Sequence, residues 1–157
     1  MGILAIVVVA LGAALWYFVL RPREPKLVAT VGLIPTIVKR LDATGHNEAF
    51  VVFRFSRPGE YVGEDTIVEL QFSIENSRLG LDWVLLSPRN LKDQDTIAQF
   101  IRARGHALTE RQTNGVRYLR TVDGDLAALG VQIAQQVYGL RNDMVVDLIA
   151  EGFEWKI

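Results

Sequence analysis

The chain of 157 residues contains no cysteine, which excludes disulfides, thiolate chemistry and Cys-ligated metal sites. Histidine is nearly absent as well. His46 and His106 both fall at expected loop-to-strand junctions, and their spacing matches no metal motif, so both read as solvated polar residues. There is no phosphate-cradling glycine loop, no G-x-S-x-G elbow and no nucleophile beside an evident base. Two short acidic stretches, Asp93-Gln94-Asp95 and Asp123-Gly124-Asp125, lack the further ligands and the closing Glu of a calcium loop. Each precedes an expected helix, where a carboxylate caps N–H groups and complements the dipole. No catalytic, metal or cofactor site is expected. An excess of basic residues is missing too. The first 26 residues hold three of the basic residues and one of the acidic ones, leaving 14 Lys plus Arg against 17 Asp plus Glu. A net −3 argues against nucleic acid as a partner.

Long apolar runs are also scarce, with one exception. From Ile3 to Leu20 no side chain is charged or strongly polar, and about 20 helical residues span the ~30 Å of a bilayer's hydrocarbon. A helix satisfies every backbone group internally, as lipid requires. Trp16 and Tyr17 suit the headgroup boundary, and Arg21, Arg23 and Lys26 follow at once. The expectation is a single-pass transmembrane anchor over 1–20, held in the bilayer with these five residues at its interface. Basic residues after the helix and none before it predict an outside N-terminus and a cytoplasmic domain. In a bacterium the membrane would be the plasma, or inner, membrane. A cleaved signal peptide would need a basic start and small residues after the apolar core, and neither is present. Pro22 and Pro25 make 21–29 a stiff basic linker. Residues 30–157 are then one domain with one core.

That domain opens with a helix, with Pro35 in its first turn and Ile34, Ile37, Val38 and Leu41 at helical spacing. Gly45 is expected to end it as a left-handed cap. A strand runs from about Ala49 to Ser56, with Val51, Phe53 and Phe55 facing one way. In Thr66 to Glu75 and Leu79 to Leu86 apolar and polar residues alternate. A two-residue turn at Asn76-Ser77 sets Glu75 opposite Arg78, Ile74 opposite Leu79, Phe72 opposite Leu81 and Leu70 opposite Trp83. A second helix covers about Asp93 to Arg104 and stops at Gly105. Asn114-Gly115 marks another hairpin, wetter and nearer an edge, with Arg111 facing Tyr118 and Thr109 facing Arg120. A third helix runs from about Asp125 to Tyr138, and Val145 to Ile149 reads as a last strand. The order α-β-β-β-α-β-β-α-β predicts an α+β domain, a small antiparallel sheet packed by about three helices.

Two features point to a protein partner. The third helix has no charge between Leu126 and Leu140, and a second apolar stripe, including Val131 and Tyr138, is available to another subunit unless the helix is buried on two sides. The second hairpin gathers Arg111, Arg117, Tyr118 and Arg120, suited to an acidic partner or to a solvated protective edge. From Ile34 to Tyr138 the element order resembles class I type III secretion chaperones and related chaperone-like domains. The stretches TIVELQFSIENSRLG and LAALGVQIAQQVYGL are similar in character to their central strand and last helix. The resemblance implies a non-catalytic domain that binds a partner polypeptide, often as a homodimer, and it assigns no functional residue. Those chaperones are soluble, whereas this chain carries an expected anchor and a strand after Gly139. The expected function is a membrane-tethered, non-catalytic adaptor or accessory subunit. The alternatives are a membrane-anchored enzyme using carboxylate and Arg side chains, or a purely structural subunit.

Overall fold

The β3–β4 hairpin, Val68–Glu75 and Arg78–Val84, forms where two alternating segments meet across a turn that needs two left-handed residues. Asn76 (φ 52°) and Ser77 (φ 62°) supply them, the geometry of a two-residue hairpin loop. Glu75 pairs with Arg78, Ile74 with Leu79 and Phe72 with Leu81, which is the register that the alternation predicts. The computed structural model describes residues 27–155. The expected anchor, with Trp16, Tyr17, Arg21, Arg23 and Lys26, lies outside the described residues. Among the described residues no helix is long and apolar enough to cross a membrane.

Seven antiparallel strands form one sheet, and the helices cover one of its faces, an α+β fold. The strands are β1 (Leu27–Thr30), β2 (Phe50–Phe55), β3, β4, β5 (Thr109–Thr113), β6 (Val116–Thr121) and β7 (Val145–Glu151). Their spatial order is β1-β7-β2-β3-β4-β6-β5. The helices are α1 (Ile34–Thr44), α2 (Pro88–Lys92), α3 (Gln94–Ala103) and α4 (Leu126–Gln132), the last continuing into a π-helical turn over Ile133–Val137. Val51, Phe53, Phe55, Leu70, Phe72, Leu81, Trp83 and Leu148 line the covered face, and Ile34, Ile37, Val38 and Leu41 of α1 belong to the same core with Leu126, Leu129 and Ile133. The third helix is therefore buried on two sides: Ala127, Ala134 and Tyr138 of its second stripe belong to the core as well.

Three expectations need correction. The linker read over 21–29 overlaps β1: Leu27–Thr30 pairs with Leu148–Val145, a partner too distant in sequence for a four-residue pattern to announce. Gly45 is extended (φ −68°, ψ 134°), so it is no left-handed cap; a Cβ there would collide with the Leu41 carbonyl. The second helix, expected to begin near Asp93, is preceded by a further one, α2, which Ser87-Pro88-Arg89-Asn90 opens. The Ser87 side chain accepts from the Asn90 N–H, and Pro88 fits the first turn.

Candidate functional site

Polar chemistry collects at three places. The first is on the sheet face opposite the helices. Gln71, Ser73, Asp82 and Arg120 alternate with the core residues of β3, β4 and β6 and would ordinarily meet water, yet Asp82 is 1% and Arg120 3% exposed. Register places them together: Gln71 is opposite Asp82, and Asp82 opposite Arg120. Arg120 Nη1 donates to Asp82 Oδ1 at 2.6 Å and to Ser73 Oγ at 2.9 Å. Nη2 donates to the Arg78 carbonyl at 3.0 Å, and Ser73 Oγ donates to Asp82 Oδ2 at 2.5 Å. Gly80 makes the room, because a Cβ there would strike the guanidinium. Burial raises the Asp82 carboxyl above the usual carboxylate range, while Arg120 and the Ser73 hydroxyl pull it back. At the rim Glu75 takes Arg111 at 3.2 Å, the Tyr118 hydroxyl at 3.1 Å and Arg120 Nε at 3.5 Å. With its hydroxyl both donating and accepting, Ser73 is held as a link between the two charges.

The second place surrounds Tyr138, at the end of the π-helical turn. Its ring stacks on Trp83 (centroids 6.5 Å, 13°) and meets Phe55 edge-on at 5.7 Å. The guanidinium carbons of Arg89 and Arg57 lie 5.4 and 5.9 Å from its centroid, within cation–π range. Its hydroxyl donates to Asp93 Oδ2 at 2.8 Å, and Arg89 Nε donates to the same oxygen at 2.5 Å while Nη1 reaches Glu60 at 2.9 Å. Burial, followed by the Asp93 bond and charge, holds the Tyr138 phenol far above its ordinary range. Asp93, expected as a helix cap, makes no side-chain cap bond: its carboxylate is taken by Arg89 and Tyr138. Asp125 does cap α4, accepting from the Ala128 N–H at 3.0 Å. Neighbouring Asn90 is fully buried and stitches α2 to the sheet. Its amide donates to the Glu69 and Val84 carbonyls and its oxygen accepts from the Glu69 N–H.

The third place is a cleft where the sheet splits. Pairing of β2 with β7 ends at Arg54 and Asp147. Beyond that point β2 continues along β3 through Phe55, whereas Val145 and Val146 pair with Thr30 and Ala29 of β1. The diverging strands enclose about 330 Å³, lined by Arg54, Phe55, Arg57, Val62, Ile67 and Val145 among others. Val62 (78% exposed), Tyr61 (67%) and Val145 (64%) are the most exposed large apolar residues of the domain. Arg57 is exposed and is positioned from behind, donating to the Val137 carbonyl at 3.1 Å. The carboxyls raised by burial, Asp82 and Glu69, do not line this cleft.

The residues expected to meet a partner are thus scattered. Arg111 and Arg117 are exposed on the edge hairpin, paired with Glu75 and Glu110. Tyr118, Arg120 and Tyr138 are buried and present no side chain to a partner of the folded domain. Their partner-facing reading is corrected to a structural one. Val131 is half-buried against the core. Arg111 and Tyr118 face each other as predicted, and both reach Glu75. The cleft itself was missed; the run Arg57-Pro58-Gly59-Glu60-Tyr61-Val62, a turn with two bulky residues at its tip, was its one sequence signal. No family model, curated protein or solved structure matches this chain.

Proposed function

We propose that this chain is a membrane-tethered, non-catalytic protein-binding module, an adaptor, chaperone-like domain or accessory subunit, that holds a polypeptide partner at the split between β2 and β7. The observation that carries the reading is the cleft rimmed by the exposed Val62 and Val145. Surplus apolar surface around a concavity is where association gains most. Diverging strand ends also leave backbone groups beside those side chains, and an extended polypeptide recognises both at once. The apolar run Ile3 to Leu20 supports the tether, and the basic residues after it support a cytoplasmic domain. A tether raises the local concentration of the domain near membrane partners without tight intrinsic affinity.

Co-purification of the full-length chain in mild detergent tests the reading. The wild type should carry a stable partner, and Val145→Asp should lose it while Gln112→Ala on the far edge keeps it. A lone monomer under several detergent conditions, or retention by Val145→Asp, would overturn it. A partner that proves to be a second copy of this chain would identify the module as a homodimer.

A further inference from the structure

We infer that the apolar run Ile3 to Leu20 packs on the helix-free face of the sheet whenever no bilayer holds it, so that the domain shelters its own anchor. The inference rests on the tether reading above for the bilayer-held state. Register lays one row across that face through five strands, Ile149–Val52–Gln71–Asp82–Arg120, with Phe50 opposite Ser73 in the next row. An antiparallel sheet with helices on one side ordinarily leaves polar residues to water on the other. Here Phe50 is 3% and Val52 1% exposed within a single chain, and Asp82 and Arg120 are as deeply buried. Among the described residues no helix or apolar loop supplies that cover. Residues of α1, α3 and α4 join the core on the opposite side, as do Phe153 and Trp155. Tyr61 and Val62, between β2 and β3, stay exposed. Among the described apolar side chains Ile149 alone packs against Phe50 and Val52.

The chain that precedes β1 fits the gap. β1 starts at Leu27 and is separated from β2 by β7, and residues 21–26 reach ~20 Å when extended. As a helix the ~18 residues of the run rise ~27 Å, enough for the ~19 Å of the row's four strand-to-strand steps. The run is apolar throughout, and the row beneath it needs no water. Both terminal nitrogens of Arg120 have oxygen acceptors, its Nε faces Glu75 at 3.5 Å, and both Asp82 oxygens accept. A polar network satisfied within the sheet tolerates an apolar cover. Arg21, Arg23 and Lys26 would then pass Asp147 and Glu151, which stand on this face of β7, and opposite charges favour that path. A second copy stacked face to face would need Phe50 and Val52 bare in the lone chain, and they are not.

The chain has no cysteine, so Glu151→Cys, at an exposed position opposite Phe50, takes a single benzophenone maleimide label. The full-length chain is synthesised cell-free, either without lipid or detergent or into nanodiscs of phosphatidylcholine and phosphatidylglycerol. It is then irradiated and its cross-links are mapped by mass spectrometry. Ile149→Cys is a second labelling site on the same face, Leu91→Cys on α2 is the control, and thermal melts check that each variant is folded. Without lipid the chain should be a monomer whose labels at 149 and 151 attach within residues 3–20, while the label at 91 does not. In nanodiscs those cross-links should be lost. Aggregation without lipid, or a folded monomer whose labels never reach residues 3–20, overturns the inference, and incorporation into nanodiscs then leaves the tether reading standing. Cross-links that join isotopically light and heavy chains put a second copy on the face and overturn the inference as well. Cross-links to residues 3–20 that persist in nanodiscs leave the packing standing and overturn the tether instead.

Discussion

Replacing Arg120 by Met tests whether the opposite sheet face is held by charge. The side chain is 3% exposed, its partner Asp82 1%, and they meet at 2.6 Å. Met fills much of the same volume but leaves Asp82 as a buried carboxylate with the Ser73 hydroxyl as its one close donor. Breaking a buried pair from one side costs about 3–5 kcal/mol, because the remaining charge is uncompensated. For a domain of this size that lowers Tm by roughly 10–20 °C. The cost should depend on pH. Asp82 binds its proton more tightly folded than unfolded, since burial outweighs the pull of Arg120, and removing Arg120 strengthens that preference. A carboxyl raised in the folded state takes up protons on folding, so its contribution to stability grows as pH falls through the folded pKa towards the unfolded value. Urea titrations at pH 7 and pH 5 should therefore show the gap between wild type and Arg120→Met narrowing on acidification. Adding Asp82→Leu should recover most of the loss, since an apolar pair of similar volume commonly equals a buried ion pair. A loss below about 1 kcal/mol, a gap indifferent to pH, or a double variant that costs the sum of the singles would refute the reasoning.

Gly80→Ala puts a methyl group into the Arg120 guanidinium and should cost about 1–3 kcal/mol by chemical denaturation, much of it vanishing in the Arg120→Met background. Asn90→Ala orphans the Glu69 N–H and the Glu69 and Val84 carbonyls and should cost upward of about 3 kcal/mol, read as a lowered urea midpoint. Glu48 sits at φ 77° in a turn closed by the Ala49 N–H on the His46 carbonyl, with one carboxylate oxygen buried and unpartnered. Glu48→Gly should stabilise by about 0.5–1 kcal/mol, measured the same way. Tyr138→Phe removes the bond to Asp93 but keeps the stack on Trp83, and should cost about 1 kcal/mol.

The sheet's local grammar was readable from residue order. The alternation in Val68–Glu75 and Arg78–Val84 determined which residues pair, because a slip of one position would expose Leu81 and Trp83. Asn114-Gly115 marked its turn equally well, with φ of 51° and 79°. What stayed hidden depended on distant partners. Glu69, Gln71 and Ser73 alternate like a wet face, and nothing nearby says that Arg120, 47 residues beyond Ser73, arrives to bind Ser73 and Asp82. Asp93 looked like a cap because helix starts favour acids, and the Tyr138 hydroxyl that claims it lies 45 residues on. The π-helical turn that delivers Tyr138 has no periodic signature, since its extra residue shifts the stripe only at its end. The cleft was invisible for a related reason. It is an absence of pairing between β2 and β7, and residue patterns announce pairing far better than its end.

The split in the sheet lies beside β1. Val145 and Val146 pair with Thr30 and Ala29 on one edge, while pairing to β2 on the other edge ends at Asp147, so the four residues that open the described chain also back one wall of the cleft. Val145 is therefore held by an edge strand attached along one side alone, while the facing wall, Phe55, is held by β3 and the Tyr138 ring. Edge pairs open at lower free energy than central ones. A segment entering the cleft accordingly meets one firm wall and one that can yield, and the yielding wall is backed by the strand that directly follows residues 1–26. Binding at the split and tension on those preceding residues would act on the same short ladder.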